Sequence, residues 1–472
     1  MSASASVLVA HSYYLTHDPK QVARMKPYSP LATLIAASVL RERGHDVTVF
    51  DAMVSRGEDE FEASLRERQP RVVAIVEDSF NFLTKMCTTR MREAALRMIR
   101  SAKGQGCAVV VNGSDAADQP AVYLAAGADA IVVGEAEATL AELVDRWVKG
   151  EERELRDVPG LVMADRGAAD GVRRTGSRPV MENLDRLPLP AWDLIDANAY
   201  RTAWTQAHGR FSWNVATSRG CPYGCNWCAK PIFGRRYAQR SPQAVADELA
   251  RLARDLAPDH IWFADDIFGL TTQWIEAFAM EVRARNAVIP FTIQSRVNLM
   301  TASTVAALRS AGCEEVWMGV ESGAQHVLDA MDKGSTVAQA RDATQRLRDA
   351  GIRVCWFIQL GYPGEGWTDV LTTRDLVRAE RPDDIGVSVA YPLPGTEFHR
   401  QVESQLRGKR NWTDSGDLAM LFRGPYRTTF YRRVRDLLHA EVSADDGSGR
   451  DALDRAWSDL ADAPPGNDAV AS

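Results

Sequence analysis

The sequence predicts an α/β protein in two main parts: a doubly wound parallel sheet over residues 1–150, and a run of βα repeats over 211–405 that forms a barrel or partial barrel. Three observations predict it. Short β-branched runs alternate with longer apolar-periodic helical patterns in both parts. The stretch between them, 151–210, changes to a Gly-rich hairpin and a Pro-containing linker, LDRLPLPAWDLI. Beyond residue 405 the alternation fades into helices only.

In the first part, strands are expected at Ser6–Ala10, Val47–Phe50, Val72–Val76, Ala108–Asn112 and Ala130–Val133. Helices are expected at Leu31–Arg43, Thr84–Ala102, Ala121–Ala126 and Thr139–Lys149, with Gly44 stopping the first. Ligands of such sheets sit outside the carboxyl ends of the strands. Those ends carry His11, Ser12, Asp51, Glu77–Ser79, Gly113–Asp115 and Gly134–Glu137.

In the second part, six strands are expected, at about Asn214–Thr217, His260–Phe263, Phe291–Gln294, Glu315–Gly319, Arg353–Leu360 and Ile385–Tyr391. Helical patterns such as Pro242–Leu256 and Thr304–Ala311 fall between them. Residues 406–442 read as a small helical region, clearest over Tyr426–Val442. Residues 443–472, rich in Asp, Ala, Gly and Ser, read as a disordered, solvated tail with at most one loose helix.

The 472 residues suffice for two or three domains and large cores. With 56 basic and 63 acidic residues the formal charge is −7, which gives no global reason to bind nucleic acid or an anionic membrane. No apolar run approaches the ~18 residues of a membrane helix. The N-terminal MSASASVLVAHSYY has no basic flank and reads as a strand rather than a signal peptide. Seven cysteines, an odd number without secretory features, point to a reducing cytoplasm and make any cysteine cluster a candidate metal site.

Such a cluster follows the first barrel strand: Ser218-Arg219-Gly220-Cys221-Pro222-Tyr223-Gly224-Cys225-Asn226-Trp227-Cys228. Three thiolates spaced C-x3-C-x2-C on one Gly- and Pro-containing loop can wrap one small object. Thiolates favour zinc, Cu(I) or iron–sulfur clusters, and a set of three leaves a fourth position open. A structural zinc completed by Cys313 or Cys355 is the competing reading, although both lie in or beside strands where packing is the ordinary role, as for Cys87 and Cys107.

The motif CPYGCNWC, with Trp227 in the aromatic position, resembles the signature of the radical S-adenosylmethionine (SAM) enzymes. The arrangement of N-terminal sheet and barrel resembles their cobalamin-binding branch, which includes radical methyltransferases and the anaerobic magnesium-protoporphyrin monomethyl ester cyclase. The resemblance covers roughly residues 5–405. It implies a Rossmann-like cobalamin-binding domain before a TIM-type (β/α) radical SAM barrel. It implies that Cys221, Cys225 and Cys228 hold a [4Fe–4S] cluster whose open iron chelates SAM.

Further segments at successive strand ends are similar to family motifs. In Phe263-Ala264-Asp265-Asp266, Asp265 or Asp266 would accept from the ligand ammonium; helix capping is the plainer alternative. Gln294, Ser295 and Arg296 end the third strand, where Arg296 would pair with the ligand carboxylate or join a surface salt bridge. Gly319-Val320-Glu321-Ser322-Gly323 resembles a segment whose Glu321 and Ser322 face the ligand's polar groups. Gln359-Leu360-Gly361-Tyr362-Pro363-Gly364-Glu365 resembles the segment lining the adenine side, and Tyr391-Pro392-Leu393-Pro394 a last one. For cobalamin, the resemblance points to Ser79, Gly113, Ser114, Gly134 and Glu135. The D-x-H-x-x-G segment that places a histidine below cobalt is absent, so either corrin binds without it or the domain keeps only the shape.

His45 reads as a helix-end residue, His208 and His326 as isolated structural histidines, and Trp204, Trp213, Trp262, Trp317 and Trp356 as core or pocket wall. The expected activity is reductive cleavage of SAM to a 5′-deoxyadenosyl radical for C-methylation of a small molecule with cobalamin, fed by flavodoxin or ferredoxin. Radical cyclisation, dehydration or rearrangement is the alternative within the class. A non-catalytic iron–sulfur or cobalamin redox sensor is the alternative outside it.

Overall fold

The computed structural model describes residues 4–228, 233–444 and 449–461. Its first sheet has seven strands in the order β2-β1-β3-β4-β5-β6-β7. These are β1 (Ser6–Ala10), β2 (Asp46–Phe50), β3 (Val72–Val76), β4 (Ala108–Asn112), β5 (Ala130–Val132), β6 (Leu161–Ala164) and β7 (Val172–Arg174). The first five are parallel. The order reverses between β1 and β3, so the crevice expected of a doubly wound sheet opens between their ends. β1 and β3 are buried on both faces, as their unbroken apolar runs require.

The hairpin expected outside this domain belongs to its sheet. β6 pairs antiparallel with β5, and β7 with β6. The sequence shows a hairpin; which edge it covers is decided by pairing partners far apart in the chain.

The second sheet is six-stranded, parallel and open, in the order β15-β14-β13-β12-β11-β8. Its members are β8 (Ser212–Val215), β11 (His260–Phe263), β12 (Phe291–Ser295), β13 (Cys313–Glu321), β14 (Arg353–Leu360) and β15 (Asp384–Val389). This is a partial barrel. A two-residue pair, β9 (Ser218–Arg219) with β10 (Ala238–Gln239), cinches the base of the cysteine loop. β8 begins and ends two residues before the expected strand, which frees Thr217 for the lead-in to that loop.

The two sheets are joined by an inserted turn. Ser29 donates from N (2.9 Å) and Oγ (2.7 Å) to Asn214 Oδ1 on β8, and Asn214 Nδ2 donates back to Ser29 O at 2.8 Å. The Tyr28 ring lies 5.9 Å from that of Trp262. Trp204, on the helix Ala197–His208, donates to Pro27 O at 2.8 Å.

The expectation of a disordered tail is corrected in part. Arg450–Ala461 is a helix that buries Trp457 and Leu460, and Trp457 Nε1 donates to Glu441 Oε1 at 2.7 Å. Burial of one indole outweighs the polar composition around it. Residues 445–448 and 462–472 of the expected tail lie outside the described residues.

Candidate cluster and cofactor site

Thr217 and Ser218 carry the chain from β8 into the cysteine loop, and Asp265 holds them. Thr217 donates to Asp265 Oδ1 from N at 3.0 Å and from Oγ1 at 2.9 Å, and the Ser218 hydroxyl donates to the same oxygen. Burial pushes the Asp265 carboxyl up to about 7, against these donors, which favour its charged form. At Gly220 (φ +79°) an added Cβ would lie 1.9 Å from the Arg236 carbonyl oxygen, so only glycine lets the loop close on itself.

Cys221 is buried, and Cys225 and Cys228 are half-buried. Arg296, only 4% exposed, braces the loop: Nη1 donates to Cys225 Sγ at 3.3 Å, Nη2 donates to Lys333 O, and the guanidinium lies 3.9 Å from the Tyr223 ring centroid. Among the described residues no group of three His, Cys, Asp or Glu is arranged for a single metal ion. Three thiolates on one loop are instead the donor set of a cluster with an open corner.

β13 carries an irregularity between Gly319 and Glu321, and Glu321 adopts φ +65°. Its carboxylate accepts from Lys333 Nζ at 2.6 Å, with both side chains buried. A Cβ on Gly319 would lie 2.5 Å from both Glu321 Oε1 and Lys333 Nζ, so this glycine makes room for the ion pair. Lys333 Nζ lies 5.9 Å from the Trp227 ring. Among the described residues, Trp227 Nε1, Ser295 Oγ and Gln359 Oε1 are buried without a hydrogen-bond partner. Unpaired buried polar atoms are costly, so three of them near the strand ends fit a polar ligand that completes them.

The carboxyl edge of the first sheet is built differently. Ser12 Oγ donates to Glu77 Oε1 at 2.6 Å across the switch point. His11 Nε2 pairs with Asp51 Oδ1 at 3.1 Å, and Tyr200 OH donates to Asp51 Oδ2 at 2.7 Å. Arg92 Nε and Tyr123 OH both donate to Asp115, at 2.6 and 2.7 Å. His11 Nδ1 and Asn81 Nδ2 remain buried without partners among the described residues, which fits a ligand bearing amides, such as a corrin.

Comparison with known proteins agrees with both halves. Residues 215–377 match the radical SAM superfamily, and residues 25–144 match the B12 binding domain. The chain carries a radical SAM domain and a B12-binding domain. An uncharacterized methyltransferase of Pyrococcus horikoshii is 29% identical over 393 residues, covering 81% of this chain and 80% of the relative. The anaerobic magnesium-protoporphyrin IX monomethyl ester cyclase of Rubrivivax gelatinosus is 29% identical over 283 residues, 59% of this chain and 50% of that protein. Among solved structures, the radical SAM methyltransferase TsrM of Kitasatospora setae, with cobalamin and a [4Fe–4S] cluster bound, superposes with a TM-score of 0.69 at 20% identity, covering 85% of this chain and 78% of TsrM.

Several residues of this radical SAM enzyme lie differently from the expectation. Asp265 is engaged by the cysteine-loop lead-in, and Asp266 Oδ1 pairs with Lys85 Nζ at 2.7 Å, so neither carboxylate is held open for an ammonium. Arg296 is buried against the cysteine loop, on Cys225 and Tyr223, and is not a surface salt bridge. The Ser322 hydroxyl turns to Thr373 Oγ1 (3.4 Å) and accepts from Ala324 N (3.2 Å), just beyond the register shift of β13. Tyr391 packs its ring edge-on against Trp412 and accepts from Asn411 Nδ2 at 3.2 Å, facing the C-terminal segment.

Others lie where a ligand can meet them. Gln294 and Gln359 share strand parity with Trp317 and Phe357, whose rings stack at 5.0 Å on the inner face. Gly361 (φ +77°) turns the chain after β14, with Glu365 accepting from its N–H; burial raises the Glu365 carboxyl to about 8. At the other edge, Ser79 and Ser114 are buried, and a Cβ at Gly113 would meet Glu77 Cγ at 2.7 Å. Gly134 (φ +86°) has open space around it. Glu135 accepts from Met181 N at 2.6 Å and Arg219 Nη1 at 3.2 Å.

Cys313 opens β13 and Cys355 lies in the first half of β14, at the strand ends opposite the cysteine loop. Burial pushes both thiols up, as for packed rather than ligating cysteines. His208 Nε2 donates to Arg24 O at 3.0 Å, and His45 Nε2 pairs with Asp145 Oδ1 at 3.1 Å, both structural roles. Sequence reasoning missed Lys333, a lone lysine in a turn, and Arg219, whose only signal was its place two residues before the first loop cysteine.

Proposed function

We propose that this radical SAM enzyme methylates an unactivated carbon of a small molecule, using SAM, a [4Fe–4S] cluster and cobalamin. One observation carries it: a three-thiolate loop, with unpartnered polar atoms near it, stands against a B12-binding sheet whose edge contacts that same loop. When bound, the cluster supplies the electron that splits SAM into methionine and a 5′-deoxyadenosyl radical, and cobalamin supplies the methyl group.

The chain's own residues prepare the place. Cys221, Cys225 and Cys228 would hold the cluster. Trp227, Ser295 and Gln359 offer buried polar atoms without partners among the described residues to the polar groups of SAM, beside the Lys333–Glu321 ion pair. The stacked rings of Trp317 and Phe357 give the inner face an apolar surface, which would help to keep a radical from water. Ser79, Gly113, Ser114, Gly134 and Glu135 line the edge offered to the corrin. A low-potential donor such as flavodoxin or ferredoxin would reduce the cluster, and the reducing cytoplasm is the compartment that suits it. No helix among the described residues is long and apolar enough to cross a membrane.

The test is anaerobic reconstitution with iron, sulfide and cobalamin, then incubation with methyl-labelled SAM, reductant and a panel of small molecules. About four irons and one cobalt per chain, 5′-deoxyadenosine, and label in a new carbon–methyl bond are expected. Product formation without label transfer would favour ring closure, the reading that the cyclase relative supports. Cofactor binding without any SAM cleavage would favour a redox sensor.

A further inference from the structure

Arg219 lies two residues before the first cysteine of the loop, yet its side chain reaches into the other domain. It is 4% exposed. Nη2 pairs with Glu137 Oε1 at 2.5 Å and Nη1 with Glu135 Oε1 at 3.2 Å. Both glutamates belong to the segment Gly134–Glu137 that follows β5, and Glu137 opens the helix Glu137–Lys149. The guanidinium also lies beside two rings, 5.6 Å from Phe80 and 5.3 Å from Phe233. Phe80 comes from the turn after β3 on the B12 side, and Phe233 from the segment after the cysteine loop. Their rings lie 5.5 Å apart.

Neither half of this arrangement stands alone. Without Arg219, the buried carboxylate of Glu137 loses its cation; without the glutamates, a guanidinium is buried without a counter-charge. The triad is satisfied only when the cysteine loop and the β5 turn are held together. Ordering those two segments costs conformational entropy, and whichever cofactor binds first meets that cost for the second.

We propose that Arg219 is a positioning residue that couples the two cofactor sites, so that cluster loading and corrin binding strengthen each other through Glu135 and Glu137. The inference rests on the proposed function, since it takes the β5 turn as part of the corrin site. By linkage the coupling must be reciprocal: cobalamin would retain the cluster against chelation by the same factor. The class of ligand at the turn is a corrin, held by a segment whose geometry the cysteine loop sets from across the interface.

The test uses the full chain. Hydroxocobalamin is titrated, with absorbance as the readout, into protein stripped of iron and into protein carrying its cluster. The wild type is expected to bind about tenfold more tightly with the cluster present. Arg219→Gln and Glu137→Gln are expected to bring that ratio to within about twofold while far-ultraviolet circular dichroism and iron uptake persist. Arg219→Lys keeps the charge but not the planar fork that spans two carboxylates, so an intermediate ratio is expected. Should Arg219→Gln fail to fold, the wild-type ratio and Arg219→Lys still decide the matter.

A wild-type ratio of one, or variants that keep the full ratio, overturns the coupling. If the wild type then still binds cobalamin and cleaves SAM, the methyl-transfer reading stands without it. Absence of cobalamin binding in both states overturns the two together.

Discussion

At the carboxyl edge of the N-terminal sheet, most charged side chains are satisfied by one another: Ser12 with Glu77, Arg92 and Tyr123 with Asp115, His11 and Tyr200 with Asp51. At the edge of the partial barrel the charges instead brace a thiolate loop, and Ser295, Gln359 and Trp227 keep buried polar atoms without partners among the described residues. The difference matches two kinds of ligand. On the first edge the charges are settled among themselves and only two side-chain nitrogens, His11 Nδ1 and Asn81 Nδ2, are left among the described residues for the amide fringe of a large corrin. A small zwitterion on a metal cluster needs specific polar partners kept in waiting.

The comparison breaks most visibly at the cysteines. Replacing Cys221, Cys225 or Cys228 by alanine is expected to abolish SAM cleavage, by about three orders of magnitude or more, while cobalamin still binds. Iron analysis and 5′-deoxyadenosine assay check this. Loss of cobalamin binding beyond the coupling factor would show that the two edges are one site.

Two glycines sharpen the contrast. Gly220→Ala drives a methyl group onto the Arg236 carbonyl and is expected to cost about 3 kcal/mol or more, with loss of iron uptake. Gly134→Ala meets no atom within 4 Å and carries only the cost of a positive φ, about 1–2 kcal/mol. Chemical denaturation measures both, and equal losses would erase the distinction.

The two lysines are about equally buried, and it is their acids that differ in burial. Lys333→Met leaves Glu321 buried and unpaired, for an expected loss of about 3–5 kcal/mol. Lys85→Met breaks a pair whose acid, Asp266, is 28% exposed, for an expected loss of about 1 kcal/mol. Urea unfolding of the two variants is the measurement.

An effect confined to acid pH concerns the barrel floor. His260 is held between Ser212 Oγ at 2.8 Å and Thr292 Oγ1 at 2.9 Å, and burial lowers it from 6.5 to about 3. The unfolded chain therefore binds more protons than the native one between these values. Stability should fall as pH drops from about 6.5 towards 3, and His260→Gln should flatten that limb. Thermal unfolding across that range tests it, and an unchanged slope would contradict the assignment.

Much of the fold was legible because its signals are local. β1, β3, β4, β11 and β14 fall on the expected residues, since each is a short apolar or β-branched run between turn residues. The cysteine spacing named a cluster loop for the same reason: three ligands within eight residues need no tertiary contact to be recognised. The partners that Ser322 and Tyr391 meet, Thr373 and Asn411, lie 51 and 20 residues away, beyond the reach of local pattern. The sequence marks Arg296 as a charge at a strand end, and only the structure shows that it meets Cys225 and Tyr223.

The sequence by itself determined the two α/β parts, the thiolate loop and the glycine that closes it, because hydrophobic period, ligand spacing and backbone freedom are properties of neighbouring residues. Only the tertiary structure decided that the hairpin completes the first sheet, that Trp457 docks the last described helix, and that Lys333 and Arg219 serve the site. Those roles arise from partners 12 to 84 residues away along the chain, or further, and burial makes each charge depend on the partner it meets.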